Sequence, residues 1–155
     1  MRTSLAVLGL LTFVVRTSLA QLADSKVLTH EAVKTIMQAA TEHAMKNKWN
    51  VSIAIVDANG DLLAFRRLDG ASLASIDISQ GKARTAARVR RPTKMLADAV
   101  AGGSTVLLSA PGVVLMQGGL PLSLNGIWLG AVGVSGASSE QDEQVAAAGV
   151  AALKP

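Results

Sequence analysis

The chain has 155 residues, one domain's worth, and half of them are hydrophobic, enough for a packed core. Aromatic residues make up only 3%, with no Tyr, so the core must come from Ala, Val, Leu and Ile, and a broad stacking surface for nucleic-acid bases is excluded. The formal charge is +4, and the absence of cysteine excludes disulfides, thiolate catalysis and cysteine-held metals.

Residues 1–20 read as a signal peptide. Arg2 supplies a positive start, Leu5 to Val15 an apolar run, and Ser18, Leu19 and Ala20 a small-residue cleavage site. Cleavage after Ala20 would leave Gln21 first and one domain over 21–155, secreted or periplasmic. The alternative is an uncleaved anchor. The run is short for a bilayer, which takes about 20 apolar residues, and Arg16 interrupts it. Cleavage removes Arg2 and Arg16 and no acid, leaving 13 basic against 11 acidic residues, a net +2. Nucleic acid is therefore not an expected partner, and no membrane span is expected after cleavage.

Thr29 is a good N-cap, Glu31 suits a first turn, and Val33, Ile36, Met37, Ala40 and Ala44 recur at helical spacing, predicting a helix over 30–47. Val51, Ile53 and Ile55 predict a strand. Residues 57–61 predict a turn around Asn59-Gly60, and 62–68 the return strand. Ser72 or Ser75 can cap a second helix running to about Val89. Thr93 would cap a third, ended by Gly102 and Gly103. Residues 104–119 are punctuated by Gly and Pro, so Leu107-Leu108 and 113–116 read as short strands or an ordered loop. Residues 120–124 and 127–134 flank Asn125-Gly126 as a second hairpin, and Ser139 starts a last helix reaching about Leu153. Two hairpins among helices predict an α/β protein of the α+β type, with an antiparallel sheet flanked by helices.

No catalytic constellation is present. The chain has no G-x-S-x-G elbow and no histidine pair four apart, since His30 and His43 are its two histidines. Asp57 and Asp69 follow strands, as catalytic acids do, but turn chemistry accounts for them.

A run of motifs nonetheless resembles one family. These are VSIAIVDANG at 51–60, LLAF at 62–65 and LDGA at 68–71, then KARTAA at 82–87 and RPTK at 91–94. PG at 111–112, GGLP at 118–121, GAVGVSG at 130–136 and EQD at 140–142 complete the order. In this order and spacing they resemble the GlcG/HbpS (haem-degrading) family over nearly all of 28–153, including the domain that follows corrinoid adenosyltransferases. The resemblance implies a profilin-like layered fold, a homo-oligomer that is often an octamer, and haem as cofactor. It implies exported members that sequester haem, and members that degrade haem in the presence of peroxide.

Haem iron is commonly held by an imidazole. At about 100° per residue from Val33, His43 falls about 80° to one side of the apolar stripe and His30 about 60° to the other. Both border the core. His43 is the preferred ligand, because Ala39, Ala40 and Ala44 leave room beside it and because its position matches the histidine of haem-binding relatives. The alternative is a surface histidine. Met37, Met45, Met95 and Met116 are candidates for a second axial position or for packing. Lys82, Arg84, Arg88, Arg90, Arg91 and Lys94 form a basic cluster. Arg84 and Arg88 share a helix face and suit haem propionates, or else a solvated face, or ion pairs with Asp77, Asp98 or a partner. Gly118 and Gly119 could cradle a carboxylate or simply allow close packing. Glu140 and Glu143 could hold iron weakly, or only complement a helix N-terminus.

Three functions stay open. The first is an exported haem-binding protein, with breakdown of haem as cofactor chemistry. The second is an enzyme or accessory factor for a small carboxylate or other metabolite. The third is a structural assembly protein.

Overall fold

The computed structural model describes residues 25–154, so the expected leader at 1–20 lies outside the described residues. Four helices and four strands follow in the order α1 (His30–Lys46), β1 (Ser52–Asp57), β2 (Leu62–Arg67), α2 (Ala74–Val89), α3 (Thr93–Ala101), β3 (Gly119–Leu124), β4 (Ile127–Ser135) and α4 (Ser139–Ala151). The strands form one antiparallel sheet in the order β2-β1-β4-β3. This is the expected α+β architecture.

Alternation along the central strands builds two unlike cores. Val51, Ile53 and Ile55 of the β1 segment and Val132 and Val134 of β4 face α1 and α4. There they pack with Ile36, Met37, Ala40, Val145 and Leu122. The residues between them, Ala54, Val56 and Ala131, face α2 and meet Ala83, Ala86 and Ala87. One face is thus filled by bulky aliphatic side chains, each worth about 1.5–3 kcal/mol when buried. The other is filled by methyl groups, so α2 lies close to the sheet. Gly133 shows how close: a Cβ there would collide with the Ser79 carbonyl oxygen and the Ala83 amide.

Local chemistry explains the boundaries. Thr29 caps α1, its Oγ1 accepting from the Ala32 amide at 3.2 Å. The β3–β4 turn carries positive φ at both Asn125 (52°) and Gly126 (77°), as an Asn-Gly hairpin requires. The β1–β2 turn does not follow that pattern. Only Gly60 has positive φ (92°), and the Asp57 carboxylate closes the turn by accepting from the Asn59 and Asp61 amides, each at 2.9 Å.

One cap is corrected. Thr93 is the first residue of α3 and not its cap. Pro92 takes that position, and the Thr93 hydroxyl is drawn away to accept from the Gly119 amide at 2.9 Å. Ser138, one residue before Ser139, caps α4 in a reciprocal box with Gln141. Of the two readings of Leu107-Leu108 and 113–116, short strands or an ordered loop, the loop holds: residues 105–109 form a short 3-10 turn and 113–116 have no regular structure.

Candidate functional site

A groove lies at the open edge of the sheet. It holds about 400 Å³, and its walls come from α1 and β2 alone: His30, Val33, Lys34, Met37 and Gln38 from the helix, and 63–66 from the strand. Helical spacing explains the first wall, since residues 30, 34, 37 and 38 fall on one stripe. Strand alternation explains the second: Ala64 and Arg66 pair with Ile55 and Ile53, and so share the face under α1.

The floor is apolar, built by Val33, Met37, Leu63 and Ala64, while Phe65 gives its backbone to the groove and turns its ring to the α2 face; the rim is nitrogenous, built by His30, Lys34 and Arg66. Arg66 is steadied by Thr41, whose hydroxyl donates to the Met37 carbonyl at 2.7 Å and accepts from Arg66 Nη1 at 3.3 Å. The volume falls within the roughly 300–1,000 Å³ range of small-ligand sites. An apolar body bearing carboxylates fits this combination.

His43 lies elsewhere. It sits near the C-terminal end of α1 with its ring 5.8 Å from that of Trp49, tilted by 53°. Its Nε2 is buried and makes no hydrogen bond. A buried ring nitrogen without a partner costs free energy and is available to a metal. The two histidines therefore serve separate places, one lining the groove and one against Trp49. Of the four methionines considered, Met37 lines the groove, while Met45, Met95 and Met116 are exposed away from it.

The basic cluster is dispersed. Arg84 and Arg88 lie on α2, across the sheet from the groove. Arg88 Nε donates to the Asn59 carbonyl at 2.8 Å, and Arg84 packs under Gly60. Lys94 pairs with Asp98 at 2.6 Å on the exposed side of α3. The Asp98 hydrogen bond is the main reason its ammonium is held above the usual lysine range. Lys82 behaves differently: with its side chain 1% exposed, it makes a 2.8 Å ion pair with Asp142 of α4, itself 4% exposed. Lys82 Nζ also donates to the Val134 carbonyl at 2.8 Å, and Asp142 Oδ1 accepts from the Ala137 amide at 3.0 Å. Burial pushes the Asp142 carboxyl above its ordinary value, against the lowering effect of Lys82.

Gly118 and Gly119 pack against this pair. A Cβ on Gly118 would come within 2.8 Å of the Asp142 Cβ and 3.0 Å of Lys82 Nζ. One on Gly119 would come within 2.6 Å of the Lys82 carbonyl oxygen and 2.7 Å of Thr93 Cγ2. Close approach inside the chain accounts for both glycines. Glu140 is exposed in the first turn of α4, while Glu143 Oε2 is buried without a partner. Among the described residues no group of three or more His, Asp or Glu is arranged to hold a metal ion.

Sequence reasoning missed the groove itself, and with it Lys34 and Arg66. Lys34 lies one turn after His30, a signal that was present. Arg66 could not be placed without knowing that α1 covers β2.

Comparison with known proteins agrees with this architecture. A model of the family described as haem-degrading, HbpS-like proteins matches residues 28–151. The protein GlcG of Escherichia coli K12 is 44% identical over 109 residues, which is 70% of this chain and 81% of GlcG. The crystal structure of a double mutant of HbpS from Streptomyces reticuli superposes with a TM-score of 0.81 at 39% identity, over 91% of this chain and 97% of that one. A structure described as a PduOC:haem complex superposes with a TM-score of 0.75 at 33% identity, over 83% and 96%.

Proposed function

Because this chain belongs to the HbpS-like family, we propose that it binds haem in the groove between α1 and β2. The observation that carries this reading is the groove's composition: an apolar floor under a rim of His30, Lys34 and Arg66. His30 would offer its imidazole to the iron. Lys34 and Arg66 would meet the propionates, with Arg66 held in place by Thr41. Bound haem would supply peroxide chemistry at its iron, and its breakdown would be the cofactor's own reactivity. The chain's residues contribute binding, orientation and exclusion of water. The full proposal is an exported, haem-sequestering homo-oligomer, with the octamer as the expected size and 1–20 as the leader.

A second reading places the iron ligand at His43, favoured by its buried and unpartnered Nε2. Titration of the purified protein with hemin separates the two. His30→Ala should abolish the Soret shift and His43→Ala should leave it, and the reverse pattern assigns the ligand to His43. An unchanged free-hemin spectrum in the wild type would remove both readings. It would leave a small carboxylate, or assembly alone, as the role of the groove.

A further inference from the structure

We infer that Asn125 is a site of spontaneous covalent modification by water, which removes its side-chain amide as ammonia. The fold protects the chain's other Asn-Gly pair, Asn59-Gly60, from the same loss. Neither statement depends on what fills the groove.

Asparagine is a thermolabile residue, most so before glycine, where no Cβ shields the following backbone nitrogen. That nitrogen gives up its proton and attacks the side-chain carbonyl carbon. A C–N bond forms, closing a five-membered imide, and the side-chain nitrogen leaves as ammonia. Water then opens the ring at either carbonyl, giving aspartate or isoaspartate. The sum is an amide and water converted to a carboxylate and ammonium, with no oxidant, metal or cofactor.

The attack requires the peptide unit between the two residues to turn until its nitrogen faces the side chain. Both asparagines are exposed, so exposure does not separate the two sites. The freedom of the peptide unit does. At 59–60 it is held at both ends. Arg88 Nε donates to the Asn59 carbonyl at 2.8 Å, and the Gly60 N–H donates to the Asp57 carbonyl at 3.0 Å. Gly60 is itself buried, with Arg84 Cγ and Arg88 Nε 2.9 and 3.0 Å from where a Cβ would stand.

The unit at 125–126 has none of these restraints. Among the described residues neither the Asn125 carbonyl nor the Gly126 N–H takes part in a backbone hydrogen bond. Gly126 is exposed, and nothing lies within 4 Å of a Cβ position there. The β3–β4 turn thus presents the attacking nitrogen and its target together to solvent.

The two products differ in effect. Aspartate keeps the turn, since Asp tolerates a left-handed backbone as Asn does. Isoaspartate routes the main chain through the side-chain carbon and lengthens it by an atom. That breaks the two-residue loop which sets Leu124 opposite Ile127. Either product adds a negative charge at the hairpin tip.

Peptide mapping by mass spectrometry tests this on the purified full-length chain, incubated at mildly alkaline pH, where the nitrogen loses its proton more readily. The peptide holding 125 should gain the mass of a hydroxyl in place of an amide, and should accept a methyl group from an isoaspartyl methyltransferase. The peptide holding 59 should convert at least about tenfold more slowly, because two hydrogen bonds must open first. In denaturant the two should convert alike. Arg88→Ala should speed conversion at 59 and leave 125 unchanged. Asn125→Ser should abolish the early charge change seen on ion exchange. An Asn125 that stays intact overturns the inference. So does equal conversion of both sites in the folded chain, or a tenfold difference that persists in denaturant and so belongs to local sequence.

Discussion

The Lys82–Asp142 pair joins helices on opposite faces of the sheet, passing the start of β3 where Gly118 and Gly119 make room. Removing one partner strands a buried charge, which costs about 3–5 kcal/mol. Lys82→Met should therefore lower stability by about that amount in chemical denaturation. Adding Asp142→Asn should recover most of the loss, since it removes the stranded charge. The acidity of Asp142 gives a second check. Its folded value is raised by burial, so the native state binds the proton more tightly than the unfolded chain. The resulting stabilisation is present below the ordinary carboxylate value and is lost as pH rises through the raised one. The stability difference between wild type and Asp142→Asn should accordingly fall across that window as pH increases. The burial of Lys82 was not read from the sequence, which placed it in the basic cluster, although residues 75, 79, 82 and 86 form one helical stripe in which the other three are small. Its partner was not readable, since Asp142 lies 60 residues away.

Elements were read from the sequence more reliably than their ends. Period and turn residues sufficed for α1, α2, α4 and both hairpins, because each is specified by neighbours in the chain. For α4, Ser138 and Ser139 are adjacent and could both cap; Ser138 does, and Ser139 is the first helical residue. For Thr93 a tertiary contact with Gly119 decided the matter. The segment 104–117 carried no periodicity, and it contains only one short 3-10 turn. The close seating of α2 yields the element-scale expectation. Gly133→Ala forces a methyl group into the α2 backbone and should cost about 1–3 kcal/mol, read as a lowered midpoint in thermal unfolding. Ser138→Ala, which removes only the α4 capping box, should cost about 1 kcal/mol in the same assay.

For the whole molecule, the fold was legible because an ordered set of motifs spans it. The site was legible only in part. His30 was one of two histidines weighed, while the groove depends on which strand α1 covers, and no local pattern encodes that. The proposed export belongs to this scale as well. Protein recovered from outside the cytoplasm should have a mass that begins at Gln21, and a mass that includes residues 1–20 would contradict cleavage.

The inequality of the two cores has a consequence for how this molecule can change over time. Beneath α2 the packing is mostly glycine backbone and alanine methyl groups, with Val56 the one larger buried side chain, so there is little room for growth. Beneath α1 the units are Val, Ile, Leu and Met, which exchange volume with one another at modest cost. Variation is therefore channelled to a single side. One half acts as a fixed chassis, while the half that carries the groove keeps the freedom to be reshaped around a different ligand without endangering the fold.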